Sequence, residues 1–236
     1  ICALLQLRKA EPRDATLVTG VKRDINLLGK VNAAAGDQIT VLDVSMDKNR
    51  AALDSALEAG ACVFYVDHHF PGDIPAHTNL TAIINESADV CTAALVNGHL
   101  NGAHLDWAVT GAFGDNLHAT ARALAKGLDI SEQDLTALEN LGTYINYNGY
   151  GPAIDDLHFD PRELYLRLYA AEGPLDFVQQ RSGNPQPRSG TRGADPQCKR
   201  KLPGQRQGAD GEQAGCGGIM HAVCYRWWPR RCRGNQ

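Results

Sequence analysis

Three short segments of the sequence carry carboxylate and imidazole side chains where a folded chain could bring them together. Asp43 ends the apolar run ITVLD, the triplet Asp67-His68-His69 ends the run VFYV, and Asp115 lies in GAFGDN. Each follows an apolar stretch and stands beside small or turn-forming residues, which indicates loops at the ends of strands or helices. Burial of such groups costs on the order of several kcal/mol unless they are paired or bind a metal.

These residue types favour a hydrolytic metal site. Two ions about 3.5–4 Å apart, held by carboxylates and imidazoles, activate a water molecule and neutralise phosphate charge. Carboxylates suit hard ions such as Mn²⁺ or Mg²⁺, and added imidazole shifts the preference towards Mn²⁺. The three segments are therefore candidates for a two-metal site.

Each candidate also has a purely structural interpretation. Asp43 could be a turn residue or a helix N-cap, and Asp115 could cap a helix that begins near Leu117. His68 and His69 could be a partly exposed pair in a loop. The sequence leaves these alternatives open.

Alternating strand and helix patterns predict the elements that position these residues. Strand-type runs occur at ATLVTGV, DQITVLDVSM, ACVFYVDHH and LTAIINES, and helical spacing occurs at ICALLQLRKA, KRDINLLGKVNAA, NRAALDSALEAG and VCTAALVNGHL. This alternation predicts an α/β fold with a parallel β-sheet flanked by helices. Functional sites in such sheets gather at the carboxyl ends of the strands, where Asp43 and the Asp67 triplet fall.

The chain after residue 105 is predicted to be mainly helical. The segments LDWAVTGAFGDNLHATARALAKGL, SEQDLTALENLGTYINYN and RELYLRLYAAEGPLDFVQQ have helical spacing. Ser131 and Asp134 have the spacing of a capping box, in which each side chain bonds the backbone N–H of the other residue.

Composition changes at residue 181 and suggests three regions. Gly, Pro and Arg are frequent beyond it, whereas Leu, Ile, Val and Phe are scarce. Such a segment buries too little apolar surface to offset its chain entropy. We therefore predict a core at 1–118, linker helices and the start of a second domain at 119–180, and a poorly ordered tail at 181–236.

Charge and cysteine content suggest the cellular setting. Residues 1–180 hold 12 Lys and Arg against 24 Asp and Glu, whereas residues 181–236 hold 11 against 3. The basic tail offers a separate function, nucleic-acid binding through phosphate contacts. No stretch has the roughly 18 consecutive apolar residues of a membrane helix, so no membrane association is expected. The widely spaced Cys2, Cys62 and Cys91 predict reduced thiols in a cytoplasmic protein.

The sequence VDHH, placed between Asp43 and Asp115, resembles the signature of the DHH phosphoesterase superfamily. The order of an aspartate, the Asp-His-His triplet and Gly-x-x-Gly-Asp, at positions 43, 67 and 115, is similar to that family's second, third and fourth motifs. The resemblance covers residues 1 to about 150. It implies a Rossmann-like domain and metal-dependent hydrolysis of a phosphodiester or phosphoanhydride bond in a nucleotide or short single-stranded oligonucleotide, by a metal-activated water.

The resemblance also implies a role for each candidate residue. Asp43 would bridge two Mn²⁺ (or Mg²⁺) ions, His68 would bind one of them, and Asp115 would be a further metal ligand. Asp67 would orient the site without touching the metal, since a carboxylate beside a histidine ligand fixes its tautomer. His69 would contact the scissile phosphate or act near the leaving group.

The two ends of the chain leave another function open. In the family, a strand that ends in Asp-x-Asp leads directly into a helix that resembles ICALLQLR, and a second domain with a glycine-rich loop follows. This chain begins at that helix, and its composition from residue 181 is typical of a shifted reading frame in G+C-rich DNA. The alternative is therefore a catalytically inactive, truncated fragment that keeps the fold and weak metal affinity.

Overall fold

The computed structural model describes the backbone of residues 1–182 and 222–225, and the side chains as far as residue 180. The helices are α1 Cys2–Ala10, α2 Arg50–Glu58, α3 Thr92–His99, α4 Leu105–Gly114, α5 His118–Ala125, α6 Glu132–Tyr147, α7 Pro161–Tyr169 and α8 Pro174–Ser182. The strands are β1 Thr16–Thr19, β2 Gln38–Leu42, β3 Cys62–Asp67, β4 Leu80–Ile84 and β5 Ala222–Tyr225. Short 3₁₀ turns lie at Leu28–Lys30, Asp47–Asn49 and Ile154–Asp156.

The strands form one sheet in the order β1-β5-β2-β3-β4. Strands β2, β3 and β4 are parallel, with Leu42 opposite Val66 and Val66 opposite Ile83. Strand β5 runs antiparallel to both of its neighbours, β1 and β2. The predicted α/β fold with a parallel sheet flanked by helices is confirmed, and the four predicted strand segments correspond to β1–β4.

Alternating side chains of the central strands face two hydrophobic cores. Leu42 and Val66 pack into a core formed with α1, α3, α4, α6 and α7. Val41 and Tyr65, their chain neighbours, pack on the opposite face with α2 and the loop around Leu27. This division follows from the strand pleat, which points successive side chains to opposite faces.

The predicted helix over KRDINLLGKVNAA is wrong, because only Leu28–Lys30 forms a single 3₁₀ turn. The buried side chain of Asn49 explains the difference. Its Oδ1 accepts a hydrogen bond from the backbone N–H of Leu28, at 3.2 Å, and its Nδ2 donates to the carbonyl of Ile25. These tertiary bonds satisfy backbone groups that a helix would otherwise satisfy internally.

Other predictions have mixed outcomes. The Ser131–Asp134 capping box is present at the start of α6. The prediction of a poorly ordered tail at 181–236 did not anticipate strand β5. The rest of that region beyond residue 182, and with it the proposed nucleic-acid binding, lies outside the described residues. The three predicted domain boundaries stay a prediction.

One of the three cysteines differs from the prediction. Cys2 and Cys91 are buried free thiols, whereas Cys62 takes part in a disulfide, so the expectation of three reduced cysteines is wrong at Cys62. In the described part of the chain, no helix combines the length and the apolar character needed to cross a membrane.

A pair of glycines brings α4 and α6 into direct backbone contact. A Cβ on Gly142 would lie 2.2 Å from the carbonyl oxygen of Thr110, and one on Gly114 would lie 2.8 Å from the carbonyl oxygen of Gly142. Any side chain at these positions would separate the two helices. Because Asp115 directly follows Gly114, this crossing positions a candidate site residue.

We predict that Gly142→Ala destabilises the protein by about 2 kcal/mol or more, because the added methyl meets backbone atoms that cannot move aside. The control is Gly98→Ala in α3, where a Cβ meets none of the described atoms within 4 Å. There the change should stabilise by about 0.5–1 kcal/mol through helix propensity. Urea unfolding of both variants measures the difference, and equal stabilities would contradict the prediction.

Candidate metal centre

The candidate residues meet at the carboxyl edge of the parallel sheet. Asp43 directly follows β2, and its backbone N–H donates a 3.0 Å hydrogen bond to the carbonyl of Val66 in β3. Asp67 is the last residue of β3, so His68 enters the space next to Asp43. The sequence places two donor-bearing segments side by side because the register of β2 and β3 aligns their ends.

His68 lies between two carboxylates. Its Nε2 is 3.3 Å from Asp43 Oδ1 and 3.7 Å from Asp115 Oδ2. All three side chains are buried. The structure thus brings together the three residues that the sequence suggests as metal ligands.

The two histidine rings are each held by their Nδ1 atoms. His68 Nδ1 lies 2.9 Å from the carbonyl oxygen of Val90, and His69 Nδ1 lies 2.7 Å from Asp67 Oδ1. A carbonyl oxygen only accepts, so the Nδ1 of His68 carries a proton and its Nε2 is left as the ligand atom in the neutral ring. Asp67 therefore orients His69, while a backbone carbonyl orients His68.

The donor set fits a divalent cation. One donor atom from each of Asp43, His68 and His69 lies within 4.8 Å of the others. Two ligands about 2.1 Å from an ion are at most about 4.2 Å apart, a span that includes both carboxylate contacts of His68. Three buried atoms of the centre, His68 Nε2, Asp115 Oδ1 and Asp67 Oδ2, have no hydrogen-bond partner that meets geometric criteria among the described residues. Mixed carboxylate and imidazole donors suit Mn²⁺.

Helix ends and a hydroxyl favour negative charge at Asp43. The Thr92 hydroxyl, in the first residue of α3, donates a 2.9 Å hydrogen bond to Asp43 Oδ1. Ile1 and Cys2, at the start of α1, line a small cavity together with Asp43 and Asp115. The amino-terminal ends of helices carry partial positive charge, which stabilises nearby carboxylates.

Sequence reasoning missed two contributors to this site, the Thr92 hydroxyl and the Val90 carbonyl. Both belong to the segment SADVCTAALV, whose sequence is that of an ordinary turn that enters a helix. The pattern predicts the helix but not that its first turn faces Asp43. A backbone carbonyl carries no sequence signal at all.

The helix-cap interpretations of Asp43 and Asp115 do not apply. Helix α5 begins after Leu117 with no side-chain cap, so Asp115 does not cap it. The 3₁₀ turn that follows Asp43 has Met46 at its N-cap position. Of the two histidines, His68 is buried, with 9% of its surface exposed, whereas the side chain of His69 is 28% exposed.

Asp43 has an unusual backbone conformation. Its φ angle is +61°, in the left-handed region. Aspartate and asparagine enter this region more readily than other side-chain-bearing residues, at a cost on the order of 1 kcal/mol. The chain thus turns sharply after β2 and directs the carboxylate towards His68.

The pKa values of His68, His69 and Asp115 are all raised, so the site favours the binding of added positive charge. Burial and the carboxylate of Asp43 raise the pKa of Asp115 to about 7, although nearby cations act in the other direction. Burial lowers the pKa of His68, but the two carboxylates raise it more, to about 9. The hydrogen bond that His69 donates to the Asp67 carboxylate raises the pKa of His69. A divalent cation would replace the protons held here.

We predict that Asp43→Asn weakens Mn²⁺ binding at least about a hundredfold, which is more than the loss typical of residues that only orient ligands. Asparagine tolerates the left-handed backbone, and its side-chain oxygen can still accept from Thr92, so the fold should persist. Titration calorimetry measures the affinity, with the exposed Asp47→Asn as the matched control. Equal Mn²⁺ affinities in the two variants would exclude Asp43 as a ligand.

We also predict that the metal-free protein loses stability as pH rises from about 6.5 to about 9. The ordinary pKa is 6.5 for a histidine side chain and 3.8 for an aspartate, and the folded protein raises the pKa of both His68 and Asp115 above these values. The folded state therefore binds more protons than the unfolded state, and stability falls with pH in this window. The His68 contribution is complete below about 6.5 and is lost as pH passes through about 9.

This pH dependence is measurable by urea unfolding in EDTA at several pH values. His68→Asn should flatten the profile, since it removes one titrating group and leaves the buried thiols unchanged. Added Mn²⁺ should stabilise the wild-type protein more at high pH, where protons compete less for the ligands. Stability that rises from pH 6.5 to 9 in the wild-type protein would refute the prediction.

No protein-family model, curated protein or solved structure matches this chain. The fold and the geometry of this centre are therefore the observations from which a function is inferred.

Proposed function

We propose that this chain is a metal-dependent phosphoesterase of the DHH type. It hydrolyses a phosphodiester or phosphoanhydride bond in a nucleotide or a short single-stranded oligonucleotide. The observation that supports this proposal is the position of His68 Nε2, buried within ion-pair distance of the carboxylates of Asp43 and Asp115 at the carboxyl edge of the sheet.

Asp43, His68 and Asp115 are the residues proposed to hold the ions, and the histidine nitrogen favours Mn²⁺ over Mg²⁺. When bound, such ions act as Lewis acids on a phosphate oxygen and make a water molecule nucleophilic near neutral pH. The protein keeps the ligands in place through Thr92 on Asp43 and the Val90 carbonyl on His68. These bonds also limit the freedom of the side chains before substrate arrives.

His69 and Asp67 are proposed to handle the proton of the leaving group. Asp67 is fully buried, while the side chain of His69 is 28% exposed and so is open to substrate. With Nδ1 held by the Asp67 carboxylate, a proton on Nε2 of His69 can pass to the departing oxygen. Asp67 stabilises the charged ring and thereby keeps this proton available at neutral pH. One ring nitrogen of His69 lies within 4.8 Å of donor atoms of Asp43 and His68, so the ring stands beside the proposed ion.

The main experiment measures Mn²⁺-dependent hydrolysis by the full chain. The protein is stripped with EDTA and supplied with Mn²⁺ or Mg²⁺, and three substrates are compared: a short DNA or RNA oligonucleotide, a 3′,5′-bisphosphorylated nucleoside and bis(p-nitrophenyl) phosphate. We expect turnover with Mn²⁺, less with Mg²⁺ and none in EDTA. Mn²⁺ binding without turnover of any substrate would instead indicate the inactive alternative.

We predict that His69→Gln lowers kcat by about 10²–10⁴-fold, the range typical of general acid–base groups. Asp67→Asn should also lower kcat, because an amide does not stabilise the charged imidazole. The matched control is His77→Gln, at an exposed histidine whose Nδ1 accepts only from the nearby Asn79 N–H. If His69→Gln and His77→Gln retain the same kcat, His69 has no catalytic role.

A further inference from the structure

Lys22 lies at the same edge of the sheet as the candidate metal centre. Strands β1 and β2 are both antiparallel to β5, so they are parallel to each other. Carboxyl ends of parallel strands meet at one edge of a sheet. Lys22 follows the end of β1 by three residues, and Asp43 follows the end of β2 directly.

The ammonium group of Lys22 is held by neutral partners. Its Nζ donates to Asn146 Oδ1 at 3.2 Å and to the hydroxyl of Tyr150, and lies 4.2 Å from the centre of the Tyr150 ring. The backbone N–H of Lys22 also donates to the carbonyl of Gly149 at 2.9 Å. These contacts fix the position of the charge without neutralising it.

Lys22 differs in this respect from Lys30 and Lys48, whereas Lys9 is also held by neutral groups, the carbonyls of Tyr169 and Ala171. Lys30 pairs with Asp24 and Lys48 pairs with Asp47. Across residues 1–182 and 222–225, no carboxylate lies within ion-pair distance of Lys22. A fixed cation with no anionic partner, in an otherwise acidic body, is suited to bind an anion that comes from outside.

Lys22 contacts the carboxyl-terminal end of α6, which lies near the candidate metal ligands but does not include them. Helix α6 touches Gly114 at Gly142, and Asn146 lies one helical turn further, about 6 Å along the axis. Gly114 precedes Asp115, so Asn146, which accepts from the Lys22 ammonium, lies about one turn of α6 beyond the residue that touches the end of α4.

A cavity of about 450 Å³ opens at this point. The described residues that line it are Lys22, Arg23, Gly149, Tyr150, Gly151 and Pro152. They include two cationic side chains and no carboxylate. The Tyr150 side chain is 57% exposed and leaves one face of the cavity aromatic. This combination of positive charge and an aromatic surface suits a phosphate that is attached to a nucleoside.

We infer that Lys22 binds a second phosphate of the substrate, next to the phosphate that is cleaved at the metal centre. This inference rests on the proposed function and deepens it, because it restricts the preferred substrates to those with two neighbouring phosphates. Lysine acts on phosphate as a point charge, with donors that rotate to meet the oxygens. Arg23, exposed beside it, adds positive charge to the same cavity.

The test compares substrates with one and two phosphates in Lys22→Met, which keeps the apolar stem and removes the charge. For a 3′,5′-bisphosphorylated nucleoside, KM should rise about tenfold or more, the loss expected for one charge-assisted hydrogen bond. For bis(p-nitrophenyl) phosphate, KM should change less than about twofold. The Mn²⁺ affinity of Lys22→Met should not be weaker than that of the wild-type protein. Lys22→Arg should bring the KM for the bisphosphorylated nucleoside most of the way back to the wild-type value.

The control is Lys126→Met, at an exposed lysine that follows α5, which should leave both KM values unchanged. An equal rise in KM for the two substrates would overturn the inference, because Lys22 would then act on the scissile phosphate. Unchanged KM values in Lys22→Met, or a lower melting temperature as its only effect, would also overturn the inference. Lys22 would then only stabilise the contact between the end of β1 and α6.

A binding measurement separates this inference from the proposed function. If the wild-type protein hydrolyses none of the substrates, the proposed function fails. Binding of inorganic pyrophosphate and inorganic phosphate to the Mn²⁺-loaded protein still tests Lys22 by calorimetry. We expect Lys22→Met to weaken pyrophosphate binding about tenfold and phosphate binding by less than about twofold. Equal changes for both anions would overturn the inference without reference to catalysis.

Discussion

The buried carboxylates of Asp43 and Asp115 repel each other, and the surroundings of both groups oppose that repulsion. His68 stands between them, the Thr92 hydroxyl donates to Asp43, and the start of α1 lies against both. Each of these groups supplies positive charge or a donor, yet the pKa of Asp115 is still raised. A site that still favours added protons under these conditions is suited to take up a divalent cation, which delivers more charge than a proton can.

The close crossing of α4 and α6 links this site to the rest of the molecule. Gly114 and Gly142 allow the helices to touch through their backbones, and the contact fixes the end of α4 from which Asp115 extends. The same helix α6 carries Asn146 and meets Tyr150 beyond its end, where both contact Lys22. One helix, α6, thus contacts both the residue before a candidate metal ligand and a nearby cation.

Much of this arrangement was predictable, and the exceptions have specific causes. Apolar strand runs that end in Asp43 and Asp67 predicted both the parallel sheet and the edge where the ligands meet, because register follows from burial. The helix predicted around Leu28 does not form, because the side chain of Asn49, distant in sequence, accepts a hydrogen bond from the backbone N–H of Leu28. Val90 orients His68 through its backbone carbonyl, which any residue type would supply, so the sequence does not indicate this role. Lys22 gave no signal, since its environment depends on how α6 ends.

Strand β5 sets the order in which this sheet can be completed. Thr16 of β1 pairs with Tyr225, and β5 also separates β1 from β2. Strand β1, which precedes Lys22, therefore joins the strands that precede the candidate metal ligands only after the chain has been synthesised past residue 225. Closing so long a loop is entropically unfavourable, and folds dominated by such distant pairings assemble slowly. The β2-β3-β4 unit, local in sequence, can form during synthesis, whereas β1 must wait for the last described strand.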